Sequence, residues 1–148
     1  MSSGRIVGLD FGDRRIGVAV SDPTAFLASP RGVIEYRDIH VAKKAVAALC
    51  REVDASRIVI GLPLNMDGSE GPAVEKVRAF IELLRSVIEV PIETWDERLT
   101  TKSAHDVLIE AGTRREKRKG LVDKLAAQFI LQGYLDARTG PAPEPFDE

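Results

Sequence analysis

The stretch Arg5-Ile6-Val7-Gly8-Leu9-Asp10-Phe11-Gly12-Asp13-Arg14-Arg15-Ile16-Gly17-Val18-Ala19-Val20 constrains the fold more than any other part of this chain. It reads as two strands joined by a tight turn. Ile6, Gly8 and Asp10 share one face by the two-residue period, and Val7, Leu9 and Phe11 share the other. Gly12-Asp13 supplies the turn, and Ile16, Val18 and Val20 resume the alternation. Apolar side chains on both faces place the first strand inside a sheet. An acid at the end of such a strand, Asp10, needs a physical reason.

A loop of small and turn-forming residues, Asp22 to Pro30, leads to a third strand, Gly32 to Tyr36. Three strands with short connections predict an antiparallel meander. Asp38 is placed to cap a helix whose Val41, Ala45, Ala48 and Leu49 recur at helical spacing. Arg57 to Leu62 is a continuous apolar run, the pattern of a strand buried on both faces. It ends in the loop Pro63 to Pro72. A helix carrying Val74, Val77, Ile81 and Leu84 follows, to about Ile88. Val90 to Trp95 reads as the fifth strand, with Asp96-Glu97-Arg98 at its end. A further helix, capped by Thr100 or Thr101, stops at Gly112. The run 113–119 has five basic side chains and one acid, and Gly120 opens a long last helix to about Ala137.

This order predicts an α/β fold with one mixed sheet, antiparallel through strands 1–3 and parallel through strands 1, 4 and 5. The 148 residues suffice for one domain with a real core, assigned to residues 1–138. The proline-rich remainder, 139–148, reads as a flexible tail. No run is long enough to span a membrane, and residues 1–20 lack a signal-peptide layout, so the expected compartment is the cytoplasm. A single cysteine, Cys50, excludes an intramolecular disulfide and any cysteine-rich zinc site, and reads as a buried apolar residue. A net charge of -2 gives no global nucleic-acid signature, so any basic surface must be local.

Parallel sheets place ligand sites at the carboxyl ends of their strands. Asp10, the loop after Leu62 and Glu97 all leave those ends. In the last helix, Lys124, Gln128 and Gln132 mark a wet side, and Asp123 falls instead with Ala126, Ala127, Ile130 and Tyr134 on the face that packs on the sheet. A carboxylate there is costly unless it caps the helix, pairs with a cation or binds a metal. Glu97 has its own plain explanation, an ion pair with Arg98 or Lys102. Taken as a set, three carboxylates facing one point require a proton or a cation between them. Oxygen donors without His or Cys select Mg²⁺ or Mn²⁺, ions suited to phosphodiester cleavage. The basic run, with Arg114, Arg115 and Lys117, could then hold the phosphate backbone of a polyanionic substrate. Arg14, Arg15 and Arg98 are further candidates for phosphate contact. Asn65 and Asp67 could line a substrate groove or simply make their turn. His40 and His105 read as surface residues, and Trp95 as core.

Several motifs together resemble one family. Asp10-Phe11-Gly12 with Ile16-Gly17-Val18-Ala19, Gly61-Leu62-Pro63-Leu64-Asn65-Met66-Asp67-Gly68, Asp96-Glu97-Arg98-Leu99-Thr100, and Val122-Asp123-Lys124-Leu125-Ala126-Ala127 with Ile130-Leu131 and Tyr134-Leu135 are similar to the YqgF (RuvX) family of Holliday-junction-resolvase-like nucleases. They appear in order across residues 5–136. The resemblance implies an RNase H-like fold, a five-stranded mixed sheet of order 3-2-1-4-5 flanked by helices. It also implies a Mg²⁺- or Mn²⁺-dependent nuclease that matures the 5′ end of 16S rRNA, with Asp10, Glu97 and Asp123 as catalytic and metal-binding positions. Pre-rRNA, branched DNA and ribosomal particles are the implied partners, for a monomer or homodimer. One departure stands out. RNase H-like nucleases commonly carry an acid on strand 4, and here the second acid comes after strand 5.

Two other classes compete. An RNase H-like module could bind RNA or a ribosomal partner with little cleavage. The first hairpin is also similar to the phosphate-binding hairpin of actin-like ATPases, but that fold closes nucleotide between two such domains and this chain supplies one.

Overall fold

The computed structural model describes residues 4–99 and 121–139, without the side chains of residues 121–124 and 139. The helix expected before Gly112, with His105, lies outside these residues, as do the basic run 113–119 and the tail beyond residue 139. Five strands are present: β1 (Arg5–Phe11), β2 (Arg15–Ser21), β3 (Ala28–Glu35), β4 (Ala55–Leu62) and β5 (Ile92–Asp96). The helices are α1 (Ile39–Glu52), α2 (Pro72–Arg85) and α3 (Leu121–Thr139), with a 3-10 turn at Glu97–Leu99.

The sheet order is β3-β2-β1-β4-β5. β1 pairs antiparallel with β2 and parallel with β4, β2 pairs antiparallel with β3, and β4 pairs parallel with β5. This is the RNase H-like sheet that the motifs imply. Four strands, β1, β3, β4 and β5, therefore end at one edge, here called the carboxyl edge.

Alternation along β1 feeds two separate cores. Val7 and Leu9 join Ile58, Ile60, Val46, Phe80 and Leu84 under α1 and α2. Ile6 joins Ala19, Val59, Ala127, Ile130 and Leu131 under α3. Phe11 stacks on Phe80 with ring centroids 4.7 Å apart and closes the first core near the carboxyl edge. Asp38 caps α1 as expected, accepting from His40 N at 2.8 Å. Cys50 is buried, and desolvation pushes its thiol up to about 11, as befits an apolar packing residue.

Two expectations change. β3 begins at Ala28, not Gly32, and its pairing runs through Pro30 opposite Ala19. Proline is tolerated there because β3 is an edge strand whose outward N–H has no ladder partner to lose. The loop before it is shorter, and Asp22 holds it by accepting from Phe26 N at 2.9 Å and Leu27 N at 2.7 Å.

The second change concerns α3. Gln128 and Gln132 are half-buried and bound to β3 rather than left wholly to solvent. Gln132 Oε1 accepts from Ala28 N at 2.8 Å, and Gln128 Nε2 donates to Ala28 O at 3.1 Å. The two amides complete the open edge of the sheet where β3 begins, a role that satisfies backbone groups otherwise left to solvent. The apolar side, Ala126, Ala127, Ile130 and Tyr134, is buried as expected.

α3 approaches β1 closely because Gly8 has no side chain. A Cβ added there would lie 2.7 Å from Leu131 Cβ and 3.3 Å from Ala127 O. Neither neighbour is the free end of a flexible side chain, so the helix itself would have to lift. Gly8→Ala should lower folding stability by about 1–3 kcal/mol, read as a drop in urea midpoint at unchanged slope. An unaltered midpoint would show that α3 does not rest on this glycine.

Candidate active site

Asp10 is the penultimate residue of β1, opposite Gly17 of β2. Ile6 and Gly8 both face α3, so the pleat directs position 10 to that side. It is half-buried and is not without an interaction partner. On the other side of β1, the parallel register pairs Leu9 with Ile60, which brings Gly61 alongside Asp10.

Gly61 is the centre of the arrangement. A Cβ built on it would lie 2.6 Å from Glu97 Oε2 and 3.2 Å from Glu97 Cγ. The Glu97 carboxylate thus rests where a strand-4 side chain would project, one strand away from Asp10. The acid missing from β4 is replaced in space by one that leaves β5 and folds back over a glycine. Ile130 Cδ1, 2.6 Å from the same added Cβ, closes the seat from the α3 side.

Glu97 does not pair with Arg98. Arg98 Nη2 donates to Asp96 Oδ2 at 2.7 Å and its Nε to both Asp96 oxygens at 3.1 Å, while its Nη1 donates to Met66 O at 3.3 Å. This clasp ties the end of β5 to the loop after β4, and Arg98 holds the Asp96 carboxyl below its usual range. Lys102 lies outside the described residues. Among the described residues Glu97 has no hydrogen bond or ion pair. Burial pushes its pKa up, and the neighbouring Asp96 charge adds to the shift.

The loop itself is self-contained. Gly68, at φ +88°, makes the left-handed turn. Asn65 Nδ2 donates to Ser69 Oγ at 2.9 Å, and Asp67 Oδ1 accepts from Ser69 N at 2.9 Å. Asn65 and Asp67 are therefore turn-makers in this structure. Arg14 is exposed and Arg15 half-buried just after the β1–β2 turn, which Tyr36 pins by donating its hydroxyl to Gly12 O. His40 is exposed and Trp95 packs edge-on against Tyr134, both as expected.

Asp123 lies in the first turn of α3, two turns ahead of Ile130 on the same stripe. Its side chain lies outside the described residues, as do Arg114, Arg115 and Lys117. Among the described residues no three His, Cys, Asp or Glu side chains group to hold a metal.

Residues 4–137 match the family model described as RuvX, Holliday junction resolvase. The chain belongs to the RuvX family. A Halothermothrix orenii relative, named as a candidate pre-16S rRNA nuclease, is 48% identical over 132 residues, 89% of this chain and 94% of its own length. A Clostridium novyi relative of the same name is 48% identical over 133 residues, 90% of this chain and 98% of its own. Membership places the chain among nucleases, hydrolases of phosphodiester bonds. In fold it is similar to Thermus thermophilus RuvC solved with a Holliday junction substrate, at TM-score 0.61 and 15% identity over 92% of this chain and 96% of that one. Fowlpox virus resolvase in complex with Holliday junction DNA is similar at TM-score 0.54 and 14% identity, over 90% of this chain and 98% of that one.

Sequence reading missed Gly61 and Asp96. A glycine inside an otherwise apolar central strand was the available signal, since it marks a close approach. The half-buried Glu97 makes a prediction. Its folded-state pKa lies above the ordinary 4.5, so just above that pH the folded state binds more protons than the unfolded. Stability therefore falls as pH rises through this interval. In chelator, Glu97→Gln should melt higher than the parent at neutral pH, and the gain should vanish below pH 4.5. A lower melting temperature at neutral pH would contradict a half-buried charge without a partner.

Proposed function

We propose that this protein is a divalent-metal-dependent nuclease that cleaves RNA at the 5′ end of pre-16S rRNA, with Asp10, Glu97 and Asp123 as the acidic site. The observation that carries the reading is the Glu97 carboxylate seated on Gly61, beside the strand that carries Asp10. A charge held there against the cost of burial needs a partner, and none is present among the described residues. Two carboxylates from the strand ends on either side of β4, with Asp123 in the first turn of α3, would form an all-oxygen donor set suited to Mg²⁺ or Mn²⁺. When bound, such an ion supplies Lewis-acid stabilisation and a nucleophile at neutral pH.

The residues of the chain do the positioning. Asp10 is fixed by a central strand with a core on each face. Glu97 is fixed by the Asp96–Arg98 clasp behind it and by Gly61 and Ile130 in front. Arg14, Arg15, Arg98 and Asn65 stand along the carboxyl edge for substrate, with Asn65 and Arg98 acting from side chains already engaged in the loop. Arg114, Arg115 and Lys117 are assigned the phosphate backbone on their sequence alone. The relatives' name supports an RNA substrate, reached in the cytoplasm within ribosomal particles. No described helix is long and apolar enough to cross a membrane. The family's description favours a second reading, cleavage of branched DNA.

The test is a cleavage assay with Mg²⁺ or Mn²⁺ on a pre-16S 5′ leader and, in parallel, on a four-way DNA junction. Asp10→Asn should reduce RNA cleavage by about 100-fold or more, and chelator should abolish it. Cleavage of the junction alone would move the substrate to DNA. RNA binding without cleavage, unaffected by Asp10→Asn, would replace the nuclease reading with that of a binding module.

A further inference from the structure

The carboxyl edge extends past the site to the end of β3. Because β3 runs antiparallel to β2, its last residue stands at the same edge as Asp10. Arg37 follows it directly. One cleft is lined by Arg37 together with Arg14 and Arg15 from the β1–β2 turn. Three guanidinium groups from two separate segments thus meet beside the candidate site.

The lack of side-chain partners at Arg14 and Arg37 is the informative point. Arg31, Arg57, Arg78, Arg85 and Arg98 each form an ion pair with an acid. Arg14 and Arg37 are exposed and make no hydrogen bond or ion pair through their side chains among the described residues, while Arg15 is engaged. Two acids share the lining, Glu35 and Asp38, and neither pairs with an arginine; Asp38 is occupied in capping α1. The adjoining depression adds Lys76, already paired with Asp13 at 3.1 Å. Unpaired guanidinium groups in one concave site repel each other, and a planar fork of donors matches the oxygens of a phosphate.

We infer that Arg14 and Arg37, with Arg15 beside them, form a phosphate subsite that holds the backbone of the substrate strand where it passes from the carboxylates over the β1–β2 turn. Neighbouring strands lie about 4.8 Å apart, so the end of β3 is about 10 Å from that of β1. The subsite therefore takes a phosphate within a few nucleotides of the scissile one. The contact reads no base, so it contributes affinity and register without sequence preference. The inference rests on the nuclease reading, and binding separates the two.

The experiment uses the full chain carrying Asp10→Asn, with Mg²⁺ and a fluorescent pre-16S leader RNA, in anisotropy titrations over a series of salt concentrations. Arg14→Ala with Arg37→Ala should weaken binding about tenfold or more and lower the slope of log affinity against log salt by about one to two. Arg85→Ala removes one charge at the opposite end of α2 and should leave the slope unchanged. A slope and affinity unaltered in the double variant would overturn the subsite while the nuclease reading stands on its cleavage assay. An equal loss in Arg85→Ala would overturn it too, by showing an effect of net charge alone. An absence of RNA binding in every form would overturn the subsite and the RNA reading together.

Discussion

The structure depends on one close contact, the carboxylate of Glu97 against the bare backbone of Gly61. Strand β4 lies between β1 and β5, so whatever projects from position 61 controls the space between Asp10 and the end of β5. Any side chain there would displace the ends of the Glu97 and Ile130 side chains, which now occupy the space. Glycine leaves the space open, and an acid from the next strand fills it. A nuclease of this fold that lacks an acid on strand 4 can thereby keep one in nearly the same place. The cost is a charge under partial burial with no partner among the described residues to neutralise it, which the proposed cation would offset.

A second glycine does the complementary work. Gly8 lets α3 sit on β1 at the distance of a backbone contact, and the glutamines of α3 anchor the helix to Ala28 of β3. The helix is thus located by contacts at both borders of the sheet and against its centre. Asp123 inherits that placement through two turns of rigid helix. The Asp96–Arg98 clasp does the same for Glu97 from behind, joining β5 to the loop after β4. The strand, the turn and the helix that carry the three proposed acids are thus each fixed by contacts of their own.

Local patterns in the sequence carried most of the fold. Period-two alternation identified the first hairpin, and the unbroken run from Arg57 to Leu62 identified the central parallel strand, because both signals lie within a few residues. What the sequence could not display depends on partners far along the chain. Gln128 and Gln132 look like a solvated stripe until Ala28, one hundred residues earlier, is placed beside them. Pro30 looks like a breaker until β3 is known to be an edge strand. Arg98 reads equally well as a phosphate ligand or as the partner of Glu97, and only the turn after β5 shows that Asp96 takes it. Glu97 itself was legible as an acid after a strand, but its seat on Gly61 follows from the β4–β5 register, which no local pattern encodes.

The most direct test of the account is a crystal of the full chain soaked in Mn²⁺, with the ion located by its anomalous scattering. The account predicts a peak bridging Asp10 and Glu97, with carboxylate oxygens of both and of Asp123 at about 2.0–2.2 Å. A fully occupied ion elsewhere, or an ion on Asp10 that the Glu97 carboxylate does not reach, would contradict it.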